Sequence, residues 1–301
     1  MVNSTTTAPF IPEIWANEAL EVLRSNIVMA PLVTKDTDLA TFQVGSTLHV
    51  PYPGTLKAND KVEGSPVTKQ TPTSTDTTVK LSHHKEVTIL VEDFVRAQAQ
   101  PILMQSYIHA QVAALAEQIE SDIIGTYSSF SGSLGTAGTD LSAATLRAIA
   151  KKFDDNKIDQ GNRHLLLSTK DESALVGDTA LQTFFAFNEN QRHDITNGII
   201  GANIYGLTLH VSQLVPVVTG TPNTTNNLAF DPGAIVFASR SLPMANPGMG
   251  VVQAVVQDPV SGLILRSTMG YDKDSLGVQV TLDCLYGVAK LRDEKAFVVL
   301  S

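Results

Sequence analysis

The stretch "VKLSHHKEVTILVEDF", Val79 to Phe94, holds two adjacent histidines followed by a lysine and a glutamate. It reads either as a metal or catalytic site or as a piece of architecture. Side chains alternate between the two faces of a strand. Val79, Leu81, His83, Lys85, Val87, Ile89 and Val91 then share one face, and Lys80, Ser82, His84, Glu86, Thr88, Leu90 and Glu92 the other. His83 and His84 therefore point apart and do not chelate one metal. The remaining histidines, His49, His109, His164, His193 and His210, have no ligand-type spacing. The stretch is predicted to be a strand lying beside the strand that holds His49, with no metal between them.

Upstream, "LHVPYPG" (Leu48 to Gly54) reads as a short strand closed by proline and glycine. Residues 54–79 between these strands contain seven threonines and few apolar side chains. Alone, such a segment cannot bury enough surface to offset its ordering entropy. Its strand-like flanks make it the tip of a two-stranded arm. An isolated ribbon of two strands is marginal in water, so the arm needs a surface to lie on.

Downstream, Ile108, Val112, Leu115, Ile119 and Ile123 form one apolar stripe at helical spacing. A helix from Pro101 to Tyr127 would run about 40 Å at ~1.5 Å per residue, long for this chain, and it reads as a spine. Glycines and serines in "SFSGSLGTAGTD" (Ser129 to Asp140) end it. Beyond that boundary helices and strands mix. "LSAATLRAIAKKFDDNKI" is amphipathic through Leu146, Ile149 and Phe153. "RHLLLS" is a short buried strand, and "STKDESALVG" is a helix capped by Ser168 or Thr169. "NGIIGANIYGLTLHVSQLVP", "GAIVFAS" and "GVVQAVVQD" supply turns and strands. The tail reads as strand, a turn or bulge at Gly287, then strand. Residues 1–9 read as a loose arm, and "PEIWANEALEVLRSN" as a short amphipathic helix.

Composition narrows the function classes. Of the 301 residues 43% are hydrophobic and 17% charged, enough for a sizeable core. A net charge of −9 argues against a protein that grips nucleic acid through phosphates. The single cysteine, Cys284, excludes an internal disulfide and a multi-cysteine zinc site. The N-terminus lacks the pattern of a secretory signal, and no apolar run reaches membrane-spanning length. Phosphate-loop, dinucleotide-binding, zinc-protease and nucleophile-elbow motifs are missing. Asp272 and Asp274 in "YDKDS" lack the further ligands of a calcium loop, and Asp154 and Asp155 read as a polar helix end. Cys284 sits in an alternating strand as a small buried side chain. No catalytic, cofactor-binding or metal residue is assigned, and no cofactor is expected.

The ordered series of arm, short helix, polar two-stranded loop, spine helix and mixed domain resembles a known family. It is similar to the major capsid (coat) proteins of tailed bacteriophages, with the Hong Kong ninety-seven-type fold. "FIPEIWANEALEVLRSNIVMAPLV", "GSTLHVPYPG", "AALAEQIESDII", "AFDPGAIVFASRSL" and "LYGVAKLRDEKAFVVL" carry the likeness. It implies an α+β capsid fold with residues 1–44 as N-terminal arm and short helix and 45–93 as the extended loop and its strands. Residues 94–134 would form the peripheral domain with the spine helix, 135–272 a mixed α/β axial domain, and 273–301 strands returning to the peripheral domain.

The implied function is that of a structural protein, not an enzyme. Copies self-assemble as hexamers and pentamers into the icosahedral shell of a virion, built in the host cytoplasm, enclosing a double-stranded DNA genome without sequence-specific binding. Portal, scaffolding and decoration proteins are the implied partners, with no membrane. Some members of this fold cross-link a lysine to an asparagine. The loop carries Lys57, Asn59, Lys61 and Lys69, but loop lysines are common and cross-linking is not expected. One alternative is an encapsulin-type shell enclosing enzyme cargo. Another is an α+β enzyme whose candidate residues would be His83, His84, Asp154 and Asp155.

Overall fold

The computed structural model describes residues 27–35, 47–53, 56–71, 74–93, 102–186, 203–246, 250–258 and 260–301. The expected N-terminal arm, residues 1–9, and the short helix, residues 12–26, lie outside the described residues.

The polar arm is a ribbon of β2 (Thr47–Pro53) and β3 (Ser74–Lys80), paired antiparallel with Thr47 opposite Lys80 and Pro53 opposite Ser74. β4 (His83–Glu92) follows after a two-residue break in which the Ser82 N–H donates to the Lys80 carbonyl at 3.0 Å. Next comes the spine helix α1 (Ile102–Ile124). Its Ala-rich centre favours helix, and Val112, Leu115, Ile119 and Ile123 are all buried, as the stripe requires. The helix tightens into a 3-10 turn, Gly125–Ser129. There the hydroxyls of Thr126, Ser128 and Ser129 donate back to carbonyls three residues earlier and compete with further α-helical bonding.

α1 packs on the first sheet. That sheet orders β1 (Thr34–Lys35), β11 (Ile235–Arg240), β14 (Gly277–Lys290), β13 (Ile264–Asp272) and β12 (Val251–Gln257), with β4 on the far side of β14. Val280, Leu282, Cys284 and Tyr286 of β14 meet the helix stripe in the largest buried cluster. The second sheet orders β5 (Ser133–Gly135), β15 (Ala296–Leu300), β10 (Thr224–Phe230), β6 (His164–Leu167), β8 (Leu207–Val211) and β7 (Asn203–Ile204). β9 (Val217–Val218) pairs with β10. Helix α2 (Ala143–Asp155) buries Leu146, Ile149 and Phe153 against this sheet in a second cluster. α3 (Thr169–Gly177) and α4 (Thr179–Ala186) complete this half. Ser168 is the cap of α3, with its Oγ accepting from the Asp171 N–H at 3.2 Å.

The chain crosses between the sheets at two adjacent short turns, Pro232–Ala234 and Asp293–Lys295. Lys295 Nζ donates to Asp231 Oδ1 at 2.6 Å, and the Asp231 N–H donates to the Lys295 carbonyl at 2.9 Å, which ties the crossings together.

Strand pairing revises three expectations. β4 pairs with β14, with His83 opposite Tyr286 and His84 opposite Leu285, while His49 lies opposite Thr78 in the ribbon. The returning limb of the arm is therefore β3, and the two histidines sit one strand later than expected. β11, β12 and β13, assigned from sequence to the 135–272 segment, join the sheet of the spine helix. β15, expected to return there, lies instead between β5 and β10 in the second sheet. Period-two alternation fixes which residues share a face, but not which distant strand completes the ladder.

Candidate functional site

The paired histidines belong to two separate structural networks. His83 faces α1. Its ring stacks on Tyr286 at a centroid distance of 5.3 Å, and its Nδ1 lies 3.3 Å from Asp122 Oδ2. Lys85, on the same face of β4, places Nζ 3.3 Å from the same oxygen. Tyr286 Oη donates to it at 2.7 Å, and Gln118 Nε2 donates to Asp122 Oδ1 at 2.8 Å. One carboxylate near the end of the spine helix thus gathers β4, β14 and the helix itself. Burial pushes the Asp122 carboxyl up, but the bonds from Tyr286, Gln118 and Lys85 outweigh it and hold the group below the ordinary range. Burial, and then Asp122, push the Tyr286 phenol up.

Asp122→Asn is expected to destabilise the fold by about 1 kcal/mol in urea unfolding at pH 7. Because the aspartate is depressed in the folded state, its contribution is present above pH 3.8 and lost as pH falls. The difference from the parent should shrink accordingly in acid, and an unchanged midpoint at pH 7 would remove Asp122 from this role.

His84 points the other way, with Nε2 3.1 Å from Asp283 Oδ2. Asp283 is buried and held by a two-pronged Arg266 guanidinium, whose Nε donates to Oδ1 at 3.0 Å. The opposite-face reading of His83 and His84 matches this geometry.

The carboxylates do not form working pairs either. Arg163 is fully buried and donates to Asp154 Oδ1 at 2.6 Å while capping the backbone carbonyl of Asp159 at 3.1 Å. Its hydrogen bond is the main reason the Asp154 carboxyl is held low. Asp155 pairs instead with Lys151, one helical turn back, at 3.3 Å. Asp272 accepts from the Asp274 N–H at 3.1 Å, a turn that closes the β13–β14 hairpin and lowers its own pKa. Burial pushes the Cys284 thiol up to about 12, which leaves little thiolate for nucleophilic chemistry. Among the described residues no group of three or more histidines, cysteines and acids is arranged to hold a metal. No described helix is long and apolar enough to cross a membrane.

Sequence reasoning missed one histidine pair. Parallel pairing of β6 and β8 brings His164 Nδ1 to 3.2 Å from His210 Nε2, and burial lowers the pKa of both rings. It also missed the buried acid Asp171. This side chain accepts from Ser168 Oγ at 2.8 Å, Asn227 Nδ2 at 2.7 Å and Ser301 Oγ at 2.8 Å.

What the molecule does present is the ribbon. β2 and β3 form a sheet of their own, and the loop they carry, residues 56–71, is exposed throughout. Leu56, Val62 and Val67 are each about two-thirds exposed, at 64%, 65% and 64%. Across the loop, the Lys57 N–H donates to the Gln70 side-chain oxygen at 3.0 Å. Among the described residues the buried anchor lies at the base. Val79 is buried with Val236 and Ala238, and Val50, Leu81, Ala289 and Leu291 pack around them. At that point Gly287 of β14 lies against the Lys80 carbonyl, closer than any side chain would allow.

Comparison with known proteins agrees with this picture. The model of a family described as phage capsid protein matches residues 74–300. No curated protein matches the chain. Solved capsids share the fold at low identity. The capsid of cyanophage P-SCSP1u is 13% identical with a TM-score of 0.65, over 91% of this chain and 87% of that one. The head of Helicobacter pylori bacteriophage KHP40 is 11% identical with a TM-score of 0.63, over 92% and 90%. The cyanophage Pam1 capsid is 11% identical with a TM-score of 0.62, over 93% and 91%.

Proposed function

Because the chain belongs to the phage capsid protein family, it is a structural component of a virion shell, and we propose how its parts divide that work. The first sheet with α1 is the peripheral body of the subunit, and the second sheet with α2 to α4 is the axial body that meets its neighbours around the symmetry axes. Hexamers and pentamers of such subunits close into an icosahedral shell around double-stranded DNA, assembled in the host cytoplasm. Portal, scaffolding and decoration proteins are further partners of that shell.

The observation that carries this reading is the ribbon. The described residues of this segment form two strands and an exposed loop with apolar side chains in water, and their buried contact lies at the base. Two strands alone are marginal. They become worthwhile when the exposed leucine and valines are buried on another copy, at about 25 cal/mol per Å² of apolar surface removed from water. Repetition of such a heterologous contact closes a shell. The enzyme alternative has lost its candidates, since His83, His84, Asp154 and Asp155 are all engaged in structural pairs.

Electron microscopy of the purified full chain tests the proposal. Uniform closed shells are expected, with nuclease-protected DNA when they are recovered from infected cells. A protein that stays monomeric across salt and pH would overturn it.

A further inference from the structure

We propose that β12 is an open sheet edge that receives β3 of a second copy, so that the first sheet of one subunit continues into the ribbon of its neighbour. This rests on the assembly reading above and names the surface it uses.

An exposed strand edge offers unpaired N–H and C=O groups to any other chain. Proteins that must stay apart blunt such edges with lysine, proline, bulges or very short strands. The first sheet follows that rule at two edges. β1 is only two residues long, and β4 carries Lys85, Glu86 and Glu92. β12 breaks it. Its seven residues, "VVQAVVQ", hold no charge and no proline, and among the described residues it pairs with β13 alone. Val251 and Val252 are 39% and 53% exposed. In a protein that builds shells, an edge left this open fits another copy of the same chain.

The ribbon supplies a matching strand. β2 contains Pro51 and Pro53, which have no N–H, and is a poor template. β3, "STDTTVK", is also seven residues long, lacks proline and is rich in β-branched side chains. Main-chain pairing would provide the affinity, as in other strand-addition interfaces.

Charge sets the direction. The loop residues Lys57, Lys61 and Lys69 outnumber Asp60 and Glu63, so this segment is net positive in a chain of net charge −9. At the Val251 end of β12 the register places Gly270 beside it, and Asp272, Gly277 and Glu92 then run in one row across the sheet. Among the described residues, Asp93 and Asp274 add to these, so that four acids and one lysine, Lys273, stand on the strand ends and turn there. Parallel pairing, with Ser74 near Val251, carries the basic loop over this acidic edge. Antiparallel pairing carries it away.

The test uses shells of the full chain. Val255→Cys is combined in turn with Thr77→Cys and Thr78→Cys to cover both phases of β3, and the shells are oxidised. One pairing is expected to give a ladder of cross-linked subunits on a non-reducing gel; the native Cys284 is buried and stays silent. Intact shells without a ladder from either pairing overturn the inference and leave the assembly reading standing. Failure of the parent chain to form shells overturns both. In parallel, Val252→Lys is expected to cut shell yield at least about tenfold with an unchanged melting temperature, whereas normal yield counts against the inference. If that variant misfolds, the cysteine pairs decide.

Discussion

Gly287→Val is expected to destabilise the subunit by about 3 kcal/mol or more and to abolish shell formation. Gly287 stands within β14, opposite Ala238 of β11. A Cβ there would overlap the Lys80 carbonyl oxygen, come within 2.9 Å of its carbon, and sit 3.3 Å from the Leu81 Cα. All three are backbone atoms at the corner where β3 gives way to β4, so no rotamer change relieves the overlap. The strands must separate, and the contact that opens is the buried anchor of the ribbon around Val79. A melting temperature lower by about 5 °C or more would match a loss of that size. Gly125→Ala is the control. Nothing lies within 4 Å of a Cβ at Gly125, and the change is expected to be neutral or mildly stabilising. If Gly287→Val melts like the parent, the ribbon is not seated on β14 as described.

The features legible in sequence were those with a local period. The stripe from Val112 to Ile123 is buried as its spacing demands, and His83 and His84 face apart as alternation demands. The ribbon was legible because a threonine-rich segment with few apolar side chains cannot sit in a core. Partners far along the chain were not legible. Nothing local in "HHKEVTILVE" says that its ladder runs along residues 277–286 rather than beside His49. Asp122, Asp171, Asp231, Asp283 and Arg163, which tie these elements together, look in sequence like ordinary polar residues. Glu120 did carry a signal. It lies four residues from Ala116 and four from Ile124, on the face where both are buried, so the apolar stripe passes through a carboxyl group.

That carboxyl should make stability depend on pH. Glu120 is 1% exposed, and its Oε2 and Oε1 accept from the Met29 N–H at 2.9 and 3.2 Å. It thereby pins the incoming segment, whose Ile27, Met29, Ala30 and Val33 are buried in the same cluster, to the spine helix. Burial raises its pKa from 4.5 to about 7, against the opposing pull of the Met29 and Val28 backbone bonds. The folded chain therefore binds this proton more tightly than the unfolded chain does. The resulting stabilisation is fully present below pH 4.5 and lost as pH rises through about 7. The interval corresponds to about 3 kcal/mol. Glutamine keeps an acceptor for the Met29 N–H and removes the charge. Glu120→Gln is thus expected to match the parent at pH 4.5 and to exceed it by up to about 3 kcal/mol at pH 8 in urea unfolding. Amide exchange at Met29 should quicken with pH in the parent beyond its intrinsic base catalysis, and less in the variant. Parallel stability curves for the two proteins between pH 4.5 and pH 8 would show that Glu120 is hydrated in solution, and that the segment is held by its apolar side chains alone.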